Sequence, residues 1–409
     1  MIFCQFAVTN FAWRGDFNLK PINIALIGAG YAGILHANGY TKVCKVPVKI
    51  KTVMDAYSME KAQRLARAYE IKSVTMNLED VLNDSEIDIV DIVTPPTSHL
   101  DIATKALKAG KNVICEKPLT GYFGDEKDKK PIGLKVSKSK MYKKVIEQMD
   151  EIKEIVDTSD KLFMYAENTV YCPSVTKSAE IIKNKKCKIL FMKGEESLRG
   201  SSSPVAGHWD KTGGGSLIRI GCHPLSGILW LKQVEADARD EKIDVIDVTA
   251  DVGNPSCGLT EYEKRHFTSK AYDVEEFANV TLTFSDNTKA IVIASDNVMG
   301  GTKNYIEIYA NDGTLMCNIT PTDNLKAYFL DEEGIENVEF AEMLPNKTGW
   351  NNLFVSDDIL RGYTYELQDF VESVAYERAP ISGFELAYET IKIIYAAYQS
   401  ASEGRRIRL

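Results

Sequence analysis

Three glycines near the beginning of the chain have the spacing of a phosphate-binding turn. Gly28, Gly30 and Gly33 follow a short apolar run, Asn23 to Ile27, in the pattern G-x-G-x-x-G. Glycine suits such a turn because the backbone bends tightly, approaches a pyrophosphate closely and lets the next helix pack against the strand. Unpaired N–H groups at the start of that helix favour an anion. This segment is therefore predicted to bind a dinucleotide, with a plain glycine-rich turn as the alternative.

An acidic residue stands where the adenosine ribose of a dinucleotide would be bound. Asp55 ends the apolar run Val48 to Met54 and lies about twenty residues after Gly33, a separation typical of a carboxylate that holds ribose hydroxyl groups. Because a carboxylate would repel a 2′-phosphate, the sequence favours NAD over NADP, although Lys51 lies nearby and would suit NADP. The alternative is a solvated acid at the end of a strand.

Glu116, Lys117 and Pro118 follow another predicted strand, Lys111 to Cys115. A lysine at the carboxyl end of a parallel strand, followed by a proline, can point into a cofactor cleft. Its ammonium can polarise a hydroxyl or carbonyl group during hydride transfer, and burial is expected to lower its pKa into a working range. We predict that Lys117 is catalytic; the alternative is a surface pair of Glu116 and Lys117.

The segment Thr94 to His99 follows the predicted strand Ile87 to Val93 and contains two prolines, so it is stiff and lies at the edge of the sheet where ligands bind. It completes the set of predicted cofactor contacts. These are Gly28, Gly30, Tyr31, Ala32, Gly33, Asp55, Thr94, Pro95, Pro96, His99, Glu116 and Lys117.

His223 lies in a glycine-rich segment, Gly213 to Gly227, that leads into a predicted helix. A histidine can transfer a proton near pH 7, and glycines keep the backbone close to a neighbouring group. We treat His223 as a candidate catalytic residue, with a satisfied core histidine as the alternative.

Composition excludes several classes of protein. The 409 residues suggest two domains, and the formal net charge of −9 argues against a nucleic-acid surface. The eight cysteines include no C-x-x-C pair, which excludes the common zinc spacings and suggests reduced thiols in the cytoplasm. Neither a signal peptide nor a run long enough to span a membrane is recognised. No metal site and no membrane partner are predicted.

The predicted elements fall into two groups. Strands and helices alternate over residues 21–166, as in a Rossmann domain, with an inserted loop at residues 121–140. Alternating strands from residue 167 onwards predict an α+β domain built on a large antiparallel sheet, and two helices close the chain at residue 409, near the first domain. Residues 1–20 form an N-terminal extension.

Taken together, these motifs resemble the glucose-fructose oxidoreductase and inositol dehydrogenase family, Gfo/Idh/MocA. The matching pieces are Gly28-x-Gly30-x-x-Gly33, Thr94-Pro95-Pro96 with His99, Glu116-Lys117-Pro118 and Gly221-x-His223. The resemblance implies an N-terminal Rossmann domain and a C-terminal α/β domain with a large, mostly antiparallel sheet that commonly mediates dimers or tetramers. It also implies tight binding of NAD or NADP, and oxidation or reduction of a secondary alcohol of a sugar or cyclic polyol.

The resemblance assigns the reacting hydroxyl group to Lys117 and the acid/base role to His223. This chain has Arg219 and Ser226 where the family often has aspartates, and a guanidinium suits a carboxylate, a phosphate or several hydroxyl groups. The loop Arg199 to Asp210 could lie over the site, with a disordered surface turn as the alternative. The predicted substrate residues are Glu167, Asn168, Tyr171, His208, Trp209, Arg219 and His223.

The sequence therefore predicts a cytoplasmic NAD-dependent oxidoreductase that is a homo-oligomer, a dimer, tetramer or higher. Its substrate would be a secondary alcohol of a sugar, glycoside or cyclitol, including oxidation of a glycoside to its 3-keto form. Two alternatives stay open. One is a redox-neutral, NAD-dependent glycosidase that oxidises its substrate transiently and eliminates the aglycone. The other is a non-catalytic NAD-binding sensor or scaffold.

Overall fold

The computed structural model describes residues 20–319, 325–329, 348–353 and 357–409. Apart from residue 20, the predicted N-terminal extension lies outside the described residues. Within these ranges, none of the helices combines the length and the apolar character needed to cross a membrane.

The first half of the chain forms a six-stranded sheet in which every pair of neighbours is parallel. Its central strands are apolar and buried along almost their whole length, as expected when helices cover both faces. The strand order is β3-β2-β1-β4-β5-β6, so the chain adds strands on one side of β1 as far as β3 and on its other side from β4 onwards. Ligands of open α/β sheets bind where the order switches in this way, here between β1 and β4. The strands are β1 (Ile22–Ile27), β2 (Val48–Met54), β3 (Ser73–Thr75), β4 (Ile89–Ile92), β5 (Asn112–Glu116) and β6 (Phe163–Ala166).

Six helices belong to this half. Ser58 begins the second of them by accepting a hydrogen bond from the N–H of Lys61, as an N-cap serine does. The predicted loop 121–140 differs from the structure at its end, because it contains a short helix and because Ser137 caps a long helix that starts at Lys138. The helices are α1 (Tyr31–Tyr40), α2 (Met59–Ala68), α3 (Leu78–Leu82), α4 (His99–Lys108), α5 (Ile132–Lys135) and α6 (Lys138–Thr158).

The second half of the chain builds a seven-stranded mixed sheet in the order β12-β11-β7-β10-β9-β8-β15. Only the pairing of β7 with β10 is parallel within this sheet, so the predicted mostly antiparallel sheet is confirmed. The strands are β7 (Ile189–Ser197), β8 (Val245–Gly253), β9 (Phe277–Phe284), β10 (Lys289–Ser295), β11 (Lys303–Ala310), β12 (Gly313–Asn318) and β15 (Ile407–Arg408); β13 (Leu325–Phe329) and β14 (Gly349–Leu353) form a separate pair.

The helices of the second half connect the two sheets. The helix that carries His223, α9, packs on β7, and the last long helix, α12, packs on both α9 and α6 of the first half. The helix before it, α11, contacts α1. These helices are α7 (Pro173–Lys185), α8 (Trp209–Thr212), α9 (Cys222–Arg239), α10 (Asp357–Leu360), α11 (Tyr363–Ala375) and α12 (Phe384–Glu403).

Candidate active site

The glycine turn joins β1 to α1 and has the backbone that a dinucleotide requires. Gly28 has φ of +115°, and a Cβ atom there would lie 2.9 Å from the carbonyl oxygen of Val93. A Cβ atom on Gly33 would collide with the carbonyl oxygen of Gly28. Gly30, in contrast, has no atom near its Cβ position and precedes a helix whose first turn lacks a side-chain cap. The open space above Gly30 and the N–H groups of α1 fit a pyrophosphate.

Asp55 follows β2 and lies beside the glycine turn. Its Oδ2 accepts a hydrogen bond from the N–H of Ala29 at 3.0 Å, and its Oδ1 accepts from the N–H groups of Tyr57 and Ser58. Two carboxylate oxygens have about four acceptor sites, so capacity remains for a ribose hydroxyl group. Lys51 points elsewhere, because its ammonium pairs with Asp84 and Glu86.

The segment that follows β4 is held in place by a buried histidine. His99 is fully buried, and its ring nitrogens lie 2.9 Å from the carbonyl oxygen of Pro118 and 2.8 Å from that of Thr94. Burial lowers the pKa of His99, although the two carbonyl oxygens raise it in part. His99 therefore holds the Thr94 loop against the Lys117 loop, which makes it a supporting residue of the cofactor cleft.

Lys117 lies at the end of β5, in the wall between the two halves. Its Nζ donates a hydrogen bond to the carbonyl oxygen of Arg219 at 2.9 Å. Burial by itself lowers the pKa of Lys117, but neighbouring Cys222, Glu116, Glu167 and Glu196 raise it above its usual value. The expectation that burial would bring this pKa down into a working range is thus wrong. The raised pKa favours the ammonium form of Lys117, which can donate hydrogen bonds.

Glu116 supports this lysine. Its Oε2 accepts a hydrogen bond from the N–H of Lys117 at 2.8 Å, and its Oε1 lies 3.3 Å from Nε2 of His36 on α1. The other ring nitrogen of His36 lies 2.8 Å from Asp91. Although burial lowers the pKa of His36, both carboxylates raise it well above its usual value. The charge on His36 therefore ties α1 to the strand ends that carry Asp91 and Glu116.

The glycine-rich segment before His223 is held by α12 and a buried carboxylate. Glu275 accepts hydrogen bonds from the N–H groups of Gly215 and Leu217 at 2.8 and 2.9 Å. The hydroxyl group of Tyr395 donates to the carbonyl oxygen of Gly213 at 2.7 Å. These glycines thus approach protein groups closely, and they lead into one π-helical turn, Leu217–Gly221, that begins α9.

His223 is buried and faces a carboxylate. Its Nδ1 lies 2.6 Å from Oε1 of Glu167, which also accepts from the N–H of Thr169 at 3.3 Å. Burial alone would raise the pKa of Glu167, but His223, Lys117 and the Thr169 N–H lower it. Because an ionised carboxylate only accepts, Nδ1 of His223 carries the hydrogen, which leaves Nε2 able to take up a proton.

A cavity of about 270 Å³ joins these groups. Lys117 and His223 both line it, as do Arg219 and Pro96 of the predicted site. Further described residues line it, of which Ser201 belongs to the predicted loop Arg199 to Asp210 and the others were not predicted as site residues. The further residues are Pro118, Glu196, Leu198, Ser201, Thr212, Ile220, Thr302, Arg361 and Tyr363.

Arg219 is paired inside the protein. Its guanidinium forms a short contact with Asp296, which is 1% exposed and directly follows β10. Burial raises the pKa of Asp296, while Arg219 lowers it in part. The single carboxylate partner means that Arg219 does not bring an uncompensated charge to the cavity.

Several predicted substrate residues lie away from this cavity. Tyr171 is buried and donates to Asp369 at 2.8 Å, and Asn168 donates to the carbonyl oxygen of Arg361 at 2.7 Å. Trp209 is buried beneath Lys138, whose Nζ lies 3.6 Å from the ring centroid, and His208 contacts Tyr272.

These contacts within the protein account for where the four side chains lie. We therefore do not include Tyr171, Asn168, His208 and Trp209 in the substrate site. Of the predicted loop Arg199 to Asp210, Ser201 contributes to the lining. Glu167 moves from substrate contact to partner of His223.

One donor set near His223 has the composition of a metal site. Cys222, His223 and Glu167 each offer an atom, and these atoms lie within 4.8 Å of one another. Burial raises the pKa of the Cys222 thiol well above its usual value, and the Lys117 ammonium lies close by. Because metal ligation by cysteine needs a thiolate and the ammonium repels a dication, these three groups do not suit a metal ion.

Two family models match the chain. The model described as an oxidoreductase family, NAD-binding Rossmann fold, matches residues 22–128. The model described as the C-terminal alpha/beta domain of the oxidoreductase family matches residues 195–409. The match thus covers most of the chain and both sheets.

Three relatives have low sequence identity to this chain but align with it over nearly its whole length. The levoglucosan dehydrogenase of Pseudarthrobacter phenanthrenivorans is 24% identical over 406 residues, which cover 94% of this chain and 97% of that protein. The solved structure of GenD2 from gentamicin A biosynthesis in complex with NAD has a TM-score of 0.76 at 21% identity, covering 97% and 98% of the two chains. The myo-inositol 2-dehydrogenase of Lactobacillus plantarum has a TM-score of 0.70 at 20% identity, covering 95% and 100%.

Proposed function

Because the chain belongs to the Gfo/Idh/MocA family of NAD-binding oxidoreductases, we propose that it transfers a hydride between NAD and a secondary alcohol of a sugar, glycoside or cyclitol. The observation that carries the proposal is the shared cavity of Lys117 and His223, with Glu167 hydrogen-bonded behind the histidine. The named levoglucosan and inositol dehydrogenases among its relatives support this substrate class.

The cofactor is NAD, and the residues of the first half of the chain fit it. Gly28, Gly30 and Gly33 would hold the pyrophosphate, and Asp55 would hold a ribose hydroxyl group. The chemistry that bound NAD supplies is acceptance of a hydride from the carbon that carries the hydroxyl group. Asp55 favours NAD over NADP, since its carboxylate would repel a 2′-phosphate, and Lys51 is already paired with Asp84 and Glu86.

His223 is the proposed acid/base. Glu167 holds its ring with Nδ1 protonated, so Nε2 takes the proton of the reacting hydroxyl group during oxidation and returns it during reduction. The imidazolium that forms beside the Glu167 carboxylate is stabilised by that charge. The pair therefore supplies a general base whose orientation is fixed before the substrate arrives.

Lys117 is the proposed electrostatic stabiliser. Its ammonium lines the same cavity, and the hydrogen bond to the carbonyl oxygen of Arg219 leaves two further N–H donors. As the hydroxyl proton leaves, negative charge develops on the oxygen atom, and a preorganised cation lowers the energy of that state. A lysine that remained neutral could not do so.

We extend the proposal to assembly as a homo-oligomer and to a location in the cytoplasm. One face of the seven-stranded sheet carries partly exposed aromatic and charged side chains, among them Phe191, Lys193, Tyr305 and Tyr309, and such a face suits a second copy of the chain. The seven cysteines of the described residues are free thiols, in keeping with a cytoplasmic location.

The test is to incubate the purified protein with NAD and a panel of sugars, cyclitols and aryl glycosides, and to follow NADH absorbance and released aglycone together. NADH that accumulates with an intact substrate skeleton, including a 3-keto glycoside, is the expected result. Aglycone release without net NADH would instead establish the redox-neutral glycosidase. Turnover that stays at the wild-type rate in Lys117→Ala, with the fold intact, would contradict the assigned chemistry.

A further inference from the structure

Glu196 is a carboxylate inside the cavity that the proposed chemistry does not use. It lies near the end of β7 and is only 1% exposed, yet it lines the cavity together with Lys117 and His223. Its Oε1 lies 3.8 Å from a guanidinium nitrogen of Arg361. Its Oε2 has no hydrogen-bond partner among the described residues. A buried carboxylate with an unsatisfied oxygen is costly, so this atom needs a partner that the protein itself does not provide.

The strand geometry shows why Glu196 points inward. Side chains alternate along β7, and Gly194, two residues earlier, faces Pro224 and Ile228 of α9. Glu196 shares that face, whereas Glu195 lies on the other face and accepts a hydrogen bond from the hydroxyl group of Tyr305 at 2.9 Å. Two adjacent glutamates therefore have different environments, and only one of them meets the cavity.

The charges around the cavity indicate which ligand suits Glu196. Each cation on the wall already has a carboxylate: Lys117 lies near Glu116 and Glu167, Arg219 contacts Asp296, and Arg361 faces Glu196. An anionic substrate would meet no uncompensated positive charge and would lie against the Glu196 carboxylate. A neutral hydroxyl group can instead donate to Oε2.

A second unsatisfied atom points to the same class of ligand. Nε of Arg219 also lacks a hydrogen-bond partner among the described residues, and Arg219 lines the cavity. Among the described residues of the wall, Glu196 thus carries an unsatisfied acceptor and Arg219 an unsatisfied donor. Hydroxyl groups can both donate and accept, so a neutral polyol satisfies both atoms at once.

We propose that Glu196 determines substrate specificity by accepting a hydrogen bond from a second hydroxyl group of a neutral polyol, at a carbon other than the one that is oxidised. The proposal rests on the function proposed above and names the substrate class more closely. Of the ligands expected for Arg219, a carboxylate, a phosphate or several hydroxyl groups, it favours the hydroxyl groups. A site that binds a hydroxyl group rejects an analogue that lacks it, because its own polar group is then left unpaired.

The experiment compares Glu196→Gln and Glu196→Ala with the wild type, using the best neutral substrate and its complete set of monodeoxy analogues. We expect one analogue, deoxygenated away from the oxidised carbon, to lose about 10²-fold or more in kcat/KM with the wild type. This discrimination should fall below about tenfold in Glu196→Ala and to an intermediate value in Glu196→Gln. Glu195→Gln is the matched control, since it removes the same charge from the opposite face of the strand, and it should discriminate like the wild type.

Acidic analogues give a second readout. Glu196→Gln removes the carboxylate against which an anionic substrate would lie, so kcat/KM for a uronate relative to the neutral sugar should rise by about tenfold or more. An equal loss for the parent substrate and every analogue, with no gain for the uronate, would mean a purely structural role and would overturn the proposal while the proposed function stands.

If no turnover is detected, ligand binding tests the proposed function and the role of Glu196 separately. Calorimetry with the enzyme saturated with NADH measures the affinity for the same polyols and their deoxy analogues. Selective weakening in the Glu196 variants supports the role of Glu196, and unchanged affinity contradicts it. If the wild type neither turns over nor binds any sugar, glycoside or cyclitol, both the proposed function and this proposal are wrong.

Discussion

Nδ1 of His223 lies 2.6 Å from Oε1 of Glu167, and both side chains are buried where the two sheets meet. One residue comes from the start of α9 and the other directly follows β6, so the pair also joins the two halves of the chain. The carboxylate sets the tautomer of the ring, which makes Glu167 a positioning residue for His223, the proposed proton acceptor.

Glu167→Gln should lower kcat by about 10²-fold or more, because an amide holds the ring less firmly and does not stabilise an imidazolium. Substituting His223→Asn should have a similar effect, and the double variant should be little worse than either single one, since the two residues act as a unit. Steady-state kinetics checks this, with NADH affinity as the control. Strictly additive losses would show that the residues act independently.

Lys117 and Glu167 predict the form of the pH profile. The pKa of Lys117 is raised above its usual 10.5, and the pKa of Glu167 is lowered below its usual 4.5. Lys117 therefore stays protonated, and Glu167 stays ionised, from about pH 5 to pH 10. Lys117→Met should lower kcat by about 10²-fold or more at every pH in this range without moving an inflection.

The comparison variant for that experiment is Lys108→Met, which changes an exposed lysine of α4 and should match the wild type. If the alkaline limb of the kcat profile disappeared in Lys117→Met, Lys117 would titrate in the working range, contrary to the structure.

Substitution by alanine should affect stability at Gly28 and cofactor affinity at Gly30. Gly28→Ala forces a Cβ atom at φ of +115° to 2.9 Å from the carbonyl oxygen of Val93, so the free energy of unfolding should fall by about 1–3 kcal/mol. Gly30→Ala meets no neighbouring atom and should keep the stability of the wild type. Its methyl group enters the space assigned to the pyrophosphate, so the Kd for NADH should rise by about tenfold or more. Denaturant unfolding and NADH fluorescence titration measure the two effects, and unchanged NADH affinity in Gly30→Ala would contradict the assigned cofactor site.

Asp55→Asn should shift the cofactor preference. The variant keeps an oxygen that can accept from the N–H of Ala29 but removes the charge that repels a 2′-phosphate, so the ratio of Kd for NADPH to Kd for NADH should fall by about tenfold or more. Lys51→Met is the control, because Lys51 pairs with Asp84 and Glu86 and should leave this ratio unchanged. A larger change in the control than in Asp55→Asn would place the ribose near Lys51 instead.

Arg219 and Asp296 form a buried ion pair whose loss should be non-additive. Arg219→Met leaves the Asp296 carboxylate without its cation and should lower the free energy of unfolding by about 3–5 kcal/mol. The double variant Arg219→Met with Asp296→Leu should recover most of that loss, since no unpaired charge remains. Denaturant unfolding of the wild type, Arg219→Met, Asp296→Leu and the double variant checks this, and equal stability of Arg219→Met and the wild type would show that the pair contributes nothing.

The sequence by itself determined the local architecture. Val48–Met54 is a strand with the bounds of the apolar run, and β4 and β5 lie within two residues of the predicted strands Ile87 to Val93 and Lys111 to Cys115, because the apolar pattern reports which residues face a core. The glycine spacing predicted the tight turn between β1 and α1, since its geometry permits few other residues. The family resemblance pointed to Lys117 and His223, and both side chains line one cavity.

Only the tertiary structure decided which groups surround those side chains. The direction of the Lys117 pKa depends on carboxylates from β5, β7 and the segment after β6, and burial alone suggested the opposite sign. Asp296 as the partner of Arg219, Glu167 as the partner of His223 and Arg361 as the neighbour of Glu196 all come from distant parts of the chain. The sequence did contain one unused signal, because Glu196 falls on the inward side of the alternation in β7. Periodicity reports how a segment folds locally, whereas electrostatic partners are set by how separate elements pack.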